Sequence, residues 1–274
     1  MAARALTIGN FDGVHAGHKR VISRLCELSD KPTVFTFSNH PSEVLQASPK
    51  KMLSHPDHKL ALLEKMAVEV IIEPFTPELS KLSPEEFLKR FEIDHLILGH
   101  DAAFGFNRTG QAAELERLSR KMGFNLEYME PLHYKNRPIS SSYIREVIEK
   151  GDFITALPLL GRPYSIQGKV KRGAGRHLGY PTANLDVSGL CLPPFGVYHV
   201  RVGEYEGVAN LGTAPTFDGK KEQLEVHLLN FSGDLYDQVI DVIFLKFLRP
   251  EKRFESKEAL IKQIQADINY CQLG

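Results

Sequence analysis

The chain has 274 residues, 42% hydrophobic and 25% charged, the balance of a folded globular protein with material for two cores rather than of a disordered one. Thirty-four basic residues meet 34 acidic ones, and the charges stay even on either side of Lys150, so the basic excess of a general nucleic-acid binder is missing. Three widely spaced cysteines (Cys26, Cys191, Cys271) and no apolar run of signal-peptide or membrane-span length predict a soluble, cytoplasmic protein with reduced thiols and no membrane partner.

The first unit of the chain reads strand, turn, helix. Leu6 to Ile8 is apolar, Gly9 and Gly13 permit a tight turn, and Val21, Ile22, Leu25 and Leu28 follow at helical spacing. His15 and His18 stand between them. A helix beginning near Gly13 places both on one face of its first turn, beside free backbone N–H groups and the positive end of the dipole, where a phosphate binds well. A functionless surface pair has the same spacing, and zinc needs further ligands that the neighbourhood does not offer.

Thr33 to Phe37 predicts a second strand, emptying into Ser38, Asn39, His40 and Pro41. Leu60, Leu63 and Ala67 mark a helix, Val68 to Ile72 a third strand, and Ser83-Pro84-Glu85-Glu86 a capping box opening a short helix to Phe91. His95 to Leu98, a helix around Leu115, Leu118 and Met122, and a strand from Asn125 to Met129 complete the alternation. The expectation is a parallel sheet with helices on both faces, its ligands beyond the carboxyl ends of the strands. Gly9 to His18, Ser38 to Pro41 and the glycine-spaced Gly99 to Gly110 all fall on that edge. Ser140, Ser141 and Ser142, with Arg137 and Arg145 flanking the three hydroxyls, open a further helix that Gly151 stops.

Beyond a short helix reaching Pro158 the pattern changes to strands: Tyr164 to Val170, Gly196 to Val202, Tyr205 to Ala209, Gln223 to Phe231 and Val239 to Leu248. Gly203-Glu204 suits a hairpin turn, and the spacing predicts a small antiparallel barrel. A closing helix has Ser256 as N-cap and Leu260, Ile261, Ile264 and Ile268 as its buried face. From Phe153 to Leu185 there is no carboxylate, while Arg162, Lys169, Lys171, Arg172 and Arg176 are present, a window suited to polyphosphate. Gly168, Gly173, Gly175 and Gly179 allow backbone amides to approach such a ligand, though no P-loop is formed. Pro181-Thr182-Ala183-Asn184 reads as a turn or as two neutral oxygens for a magnesium ion already carrying phosphates. Glu225, alternating with Val226 and Leu228, reads as a solvent-facing carboxylate.

The opening string resembles the G-x-F-D-G-x-H-x-G-H signature of the nucleotidylyltransferase superfamily, in the version carried by bacterial bifunctional riboflavin kinase/FAD synthetases. Gly99 to Gly110 resembles that family's G-x-D-F-x-F-G-x-x-R-x-G segment, with Ala102 where phenylalanine is usual, and Ile139 to Arg145 its I-S-S-T-x-I-R motif, with Ser142 for threonine. Gly173 to Leu185 resembles the flavokinase signature G-x-G-R-x-L-G-x-P-T-A-N-L. Gly161 to Tyr164, Gly196 to Tyr198, Asn210 to Phe217 and Glu225 to Phe231 extend the likeness, with Tyr180 and Asn230 as departures.

The resemblance implies a Rossmann-like adenylyltransferase domain over residues 1–157 and a riboflavin-kinase β-barrel with a closing helix over 158–274. It implies His15, His18 and Arg145 as catalytic groups of adenylyl transfer, and Gly9, Asn10, Phe11, Asp12, His40, Asp101, Arg108, Arg137, Ser140 and Ser141 as binding groups. In the kinase half it implies Glu225 as base, Thr182 and Asn184 as magnesium ligands, and Gly168, Gly173, Gly175, Arg176, Gly179 and Asn210 as further binding residues. Riboflavin, FMN, FAD and ATP are the implied small-molecule partners. The rivals are a chain with one active half and a flavin-binding module without turnover.

Overall fold

The central strands of the first half carry consecutive buried residues because both of their faces are covered. The computed structural model describes residues 4–171, 181–216 and 219–273. β1 (Arg4–Ile8), β2 (Lys31–Phe37), β3 (Glu69–Glu73), β4 (His95–Gly99) and β5 (Asn125–Met129) pair in parallel in the order β3-β2-β1-β4-β5. Successive residues point to opposite faces. Leu6, Phe35, Leu96 and Leu98 pack against Phe87 and Leu88 of α4 (Pro84–Leu88) and Leu115 and Leu118 of α5 (Ala112–Met122). On the other face Ala5, Val34 and Ile97 meet Val21, Ile22 and Leu25 of α1 (Ala16–Leu28) and Leu63 of α3 (Pro56–Glu64). Each buried valine, leucine, isoleucine or phenylalanine among them contributes about 1.5–3 kcal/mol relative to exposure.

From β1 the chain adds β2 and β3 on one side, then returns to add β4 and β5 on the other. The direction reverses between β1 and β4, and a doubly wound sheet opens its crevice beyond the strand ends at that reversal. The loops that follow β1 and β4 are the two glycine-bearing loops singled out above. The capping box also forms: Ser83 Oγ accepts from Glu86 N, and Ser83 N donates to the Glu86 carboxylate. The helix it opens ends at Leu88, short of Phe91. The remaining elements are α2 (Ser42–Leu45), the paired β6 (His133–Tyr134) and β7 (Arg137–Pro138), and α6 (Ser141–Glu149). The compact units of the chain are Met1–Met52 with Pro56–Tyr143, and Leu53–His55 with Ile144–Gly274.

The second unit holds α7 (Phe153–Leu160), β8 (Ser165–Lys169), β9 (Ala183–Asp186), β10 (Gly196–Val202), β11 (Tyr205–Thr216), β12 (Gly219–Leu228), β13 (Val239–Arg249) and α8 (Lys257–Leu273). The six strands are antiparallel in the order β8-β13-β10-β11-β12-β9. The sheet curls until its edges approach: Lys171 N donates to Asn184 O at 2.8 Å, and a Cβ on Gly168 would sit 3.2 Å from Leu185. Gly203-Glu204 makes the expected two-residue hairpin, with Gly203 at φ +58° and Val202 paired to Tyr205. Phe153, Tyr164, Tyr198 and Phe244 form an aromatic cluster inside, and Tyr164 donates to Cys191 O. α8 is capped by Ser256 and buries Ile268 and Cys271 against Leu229 and Val208. Among the described residues no helix is long and apolar enough to cross a membrane.

Two differences from the sequence reading have physical causes. β11 runs on to Thr216, past Gly212 and Pro215, residues that ordinarily weaken a strand but are held by pairing with β12. Residues 183–186 form a strand, because Ala183 to Asp186 pair with Val226 to Gln223, some forty positions away, and no local pattern announces that partner.

Candidate active sites

The turn after β1 sets the histidine pair. Phe11 and Val14 both have positive φ, at 49° and 38°, and Gly13 has φ 78°. A β-branched residue there is strained, so Val14 is held by its surroundings, fully buried with its N–H on Phe11 O. These dihedrals keep the helix from beginning at Gly13. It begins at Ala16, with His15 as N-cap and His18 at the third helical position. Each ring therefore caps the other's backbone: His15 Nδ1 accepts from His18 N and His18 Nδ1 from His15 N, both at 3.3 Å. The rings stack with centroids 3.5 Å apart and planes 17° from parallel. With Nδ1 an acceptor in both, the neutral rings carry their proton on Nε2, so each presents an N–H donor.

Neighbouring side chains fix this arrangement. A Cβ on Gly17 would lie 3.1 Å from the His15 ring, and one on Gly9 3.1 Å from the Phe11 ring, whose centroid is 4.9 Å from that of His18. Asp12 is buried, and its carbonyl accepts from Ser141 Oγ at 3.0 Å, which ties the start of α6 to the turn. Ser140 Oγ accepts from Tyr143 N, the capping role expected of one hydroxyl in the cluster. Arg145 stands one turn beyond Ser141 on α6, and the Arg137 guanidinium lies 4.0 Å over the Tyr143 ring. The Asn10 carbonyl accepts from Thr36 Oγ1 and from the buried ammonium of Lys59, a residue the motifs did not single out.

The other two loops are held by hydrogen bonds of their own and, for the loop after β2, by bonds to the Phe75 backbone. His40 Nδ1 faces Ser42, accepting from its N–H at 3.1 Å and lying 2.7 Å from its hydroxyl, while Asn39 makes two hydrogen bonds to the Phe75 backbone. Arg108 donates to Asp101 O at 3.3 Å, so those two residues are joined across the loop after β4.

In the second unit the candidate residues meet through strand register. Glu225 on β12 is paired with Asn184 on β9 and with Asn210 on β11, which places the three in one row across adjacent strands. Residues directly opposite share a face. That row lies on the side away from Ala183, Val226 and Ala209, which face the core. Asn184 is 5% exposed; its Oδ1 accepts from Gln223 and its Nδ2 donates to Thr182 O. Asn210 donates to Glu251 at 3.3 Å, and His227, two residues from Glu225, is 2.9 Å from Pro181 O. Gln223 and Glu251 join the row without any motif having named them. Lys171 and Lys221 both pair with Asp186 at the same edge. Burial would raise the Asp186 carboxyl, but hydrogen bonds from Lys221, Ser188 and Lys171 hold it well below the usual range. Gly168 lies on β8 beside Leu185. Gly173, Gly175, Arg176 and Gly179 lie outside the described residues.

The donor set beside Glu225 suits a divalent cation that arrives with phosphate oxygens. Thr182 and Asn184 supply neutral oxygens from neighbouring positions, Asn184 is buried and oriented by Gln223, and among the described residues no group of three His, Cys, Asp or Glu forms an all-protein cage.

The comparisons with known proteins match the chain in two parts. The FAD synthetase family matches residues 2–143 and the riboflavin kinase family residues 160–273. A bifunctional riboflavin kinase/FMN adenylyltransferase of Pseudomonas fluorescens is 38% identical, with 96% of this chain and 90% of that protein covered. Those of Escherichia coli K12 and Bacillus subtilis 168 are 35% and 34% identical, covering 96% and 97% of this chain and 90% of each relative. Among solved structures, a macrolide-efflux protein from Streptococcus pneumoniae superposes with a TM-score of 0.80 at 28% identity, covering 99% of this chain and 94% of that one. With a stacked histidine pair at the switch point of one unit, a glutamate between two asparagines in the other, and relatives matching nearly end to end, the chain belongs to the bifunctional riboflavin kinase/FMN adenylyltransferase family.

Proposed function

We propose that the two activities this chain carries as a member of its family, phosphorylation of riboflavin to FMN and adenylylation of FMN to FAD, are performed by two separate sets of side chains. The observation that supports this most directly is that Asn10, His15, His18 and Ser141 are joined within the first compact unit, and Asn184, Asn210 and Glu225 within the second.

In the first reaction Glu225 accepts the proton of the riboflavin 5'-hydroxyl as its oxygen attacks the γ-phosphorus of ATP. The bond to the bridging oxygen breaks and ADP leaves. Thr182 and Asn184 would hold a magnesium ion, which would supply charge screening for the phosphates; Gly168 and Asn210 would contact the substrates, a role that the likeness to the flavokinase signature also gives to Gly173, Gly175, Arg176 and Gly179. In the second reaction a phosphate oxygen of FMN attacks the α-phosphorus of ATP and pyrophosphate leaves. His15 and His18 donate from Nε2 to phosphate oxygens, and Arg137 and Arg145 balance the triphosphate charge. Ser140 and Ser141 open α6 toward the nucleotide, and Gly9, Asn10, Phe11, Asp12, His40, Asp101 and Arg108 border the same crevice. No covalent enzyme intermediate is needed, since such transfers call for alignment and charge neutralisation. Three cysteines without a disulfide support a cytoplasmic setting.

The test is incubation with riboflavin, ATP and magnesium, followed by chromatography. FMN and then FAD accumulate, and removal of the metal with EDTA stops both until magnesium is restored. Binding of flavin with neither product formed would favour a binding module.

A further inference from the structure

A buried lysine sits under the histidine turn. Lys59 is on α3, four residues before the core residue Leu63, and is only 4% exposed. Its Nζ donates to Asn10 O at 2.9 Å and to Phe37 O at 2.5 Å. Asn10 is the second residue beyond β1, and Phe37 ends β2, so one ammonium holds together the carboxyl ends of two neighbouring strands. The Asn10 carbonyl also accepts from Thr36 Oγ1, and Gly9 N donates to Phe35 O. The turn is thus fastened to β2 immediately before the strained Phe11 to Val14 segment.

We propose that Lys59 is a positioning residue for adenylyl transfer, holding through the Asn10 and Phe37 carbonyls the turn that presents His15 and His18. The proposal rests on the reading of that turn as the adenylyl-transfer site. An apolar residue of similar length would fill the same space without removing an ammonium from water, so packing alone does not account for a lysine here. Burial pushes the Lys59 ammonium down to about 8, and the carboxylate of Asp12, itself buried in the turn, pulls part of the way back. The cation is therefore aligned with the same turn by charge as well as by hydrogen bonds. Loosening this anchor leaves Phe11, Gly13 and Val14 free to relax from positive φ, which misplaces the histidine donors. Displacement of catalytic donors by about 1 Å lowers rates on the order of a hundredfold.

The experiment uses the full chain and follows the two activities separately. In Lys59→Met, kcat for FMN adenylylation falls about tenfold to a hundredfold, the KM for ATP changes much less, and riboflavin phosphorylation is unaltered. Lys59→Arg, which restores a cation with several donors, recovers most of the lost kcat. Parental adenylylation in Lys59→Met, or equal impairment in the Met and Arg variants, overturns the proposal. Should Lys59→Met lose the kinase activity as well, Lys59→Gln is measured in its place, and a Gln variant with intact kinase and parental adenylylation overturns it. His15→Ala, run alongside, separates the two ideas: if it spares adenylylation the site itself is misassigned, and if it alone cripples adenylylation only the role of Lys59 is.

Discussion

In the first unit the two histidines are three residues apart and a single turn sets their geometry, whereas in the second Asn184, Asn210 and Glu225 meet only because three strands pair in one register. The first arrangement depends on local backbone angles that neighbouring residues must hold in place. The second depends on long-range pairing, in which a one-residue slip would turn Glu225 toward the core and Val226 out. Side chains that look equally polar in sequence are thus held by different forces, and substitutions separate them.

The largest separation comes from the histidine turn. His15→Ala removes both an Nε2 donor and the ring that caps His18 N, and FMN adenylylation falls by at least about a hundredfold while riboflavin phosphorylation persists. Parallel assays of FAD from FMN and of FMN from riboflavin check this, and equal loss of both activities erases the contrast.

Gly17→Ala sharpens the same point with a smaller perturbation. Alanine is the better helix former by about 1 kcal/mol, yet its Cβ would lie 3.1 Å from the His15 ring. Adenylylation drops roughly tenfold without loss of thermal stability, since the ring must shift by a few tenths of an ångström. A variant that melts earlier and keeps its rate would show that the ring's position is not critical.

Ser83→Ala is the smallest of these effects and marks the boundary of both sites. It deletes one arm of the capping box on α4, costing about 1 kcal/mol, and lowers the melting temperature of the first unit while both rates hold well below the transition.

Much of the first unit was legible in the sequence because its signals are local. The five parallel strands, the Ser83 capping box and the loops at the switch point each announce themselves within about a dozen residues. The true start of α1 was not legible, since apolar Val14 gives no sign of the positive φ that delays the helix to Ala16. No motif or spacing singles out Lys59, and only the fold shows it beneath two strand ends. In the second unit the motif residues were recognisable but their meeting was not. β9 is short and follows a proline, and its partner is distant. Gln223 and Glu251, which hold Asn184 and Asn210, belong to no pattern that spacing reveals. Local geometry can be read from neighbours; register has to be seen.

The claim that two independent sets of side chains divide the chemistry is tested most directly by supplying FMN and ATP to the Glu225→Ala protein. The expected result is FAD formed at the parental rate by a protein that makes no detectable FMN from riboflavin. Loss of FAD synthesis in step with loss of FMN synthesis would contradict the account.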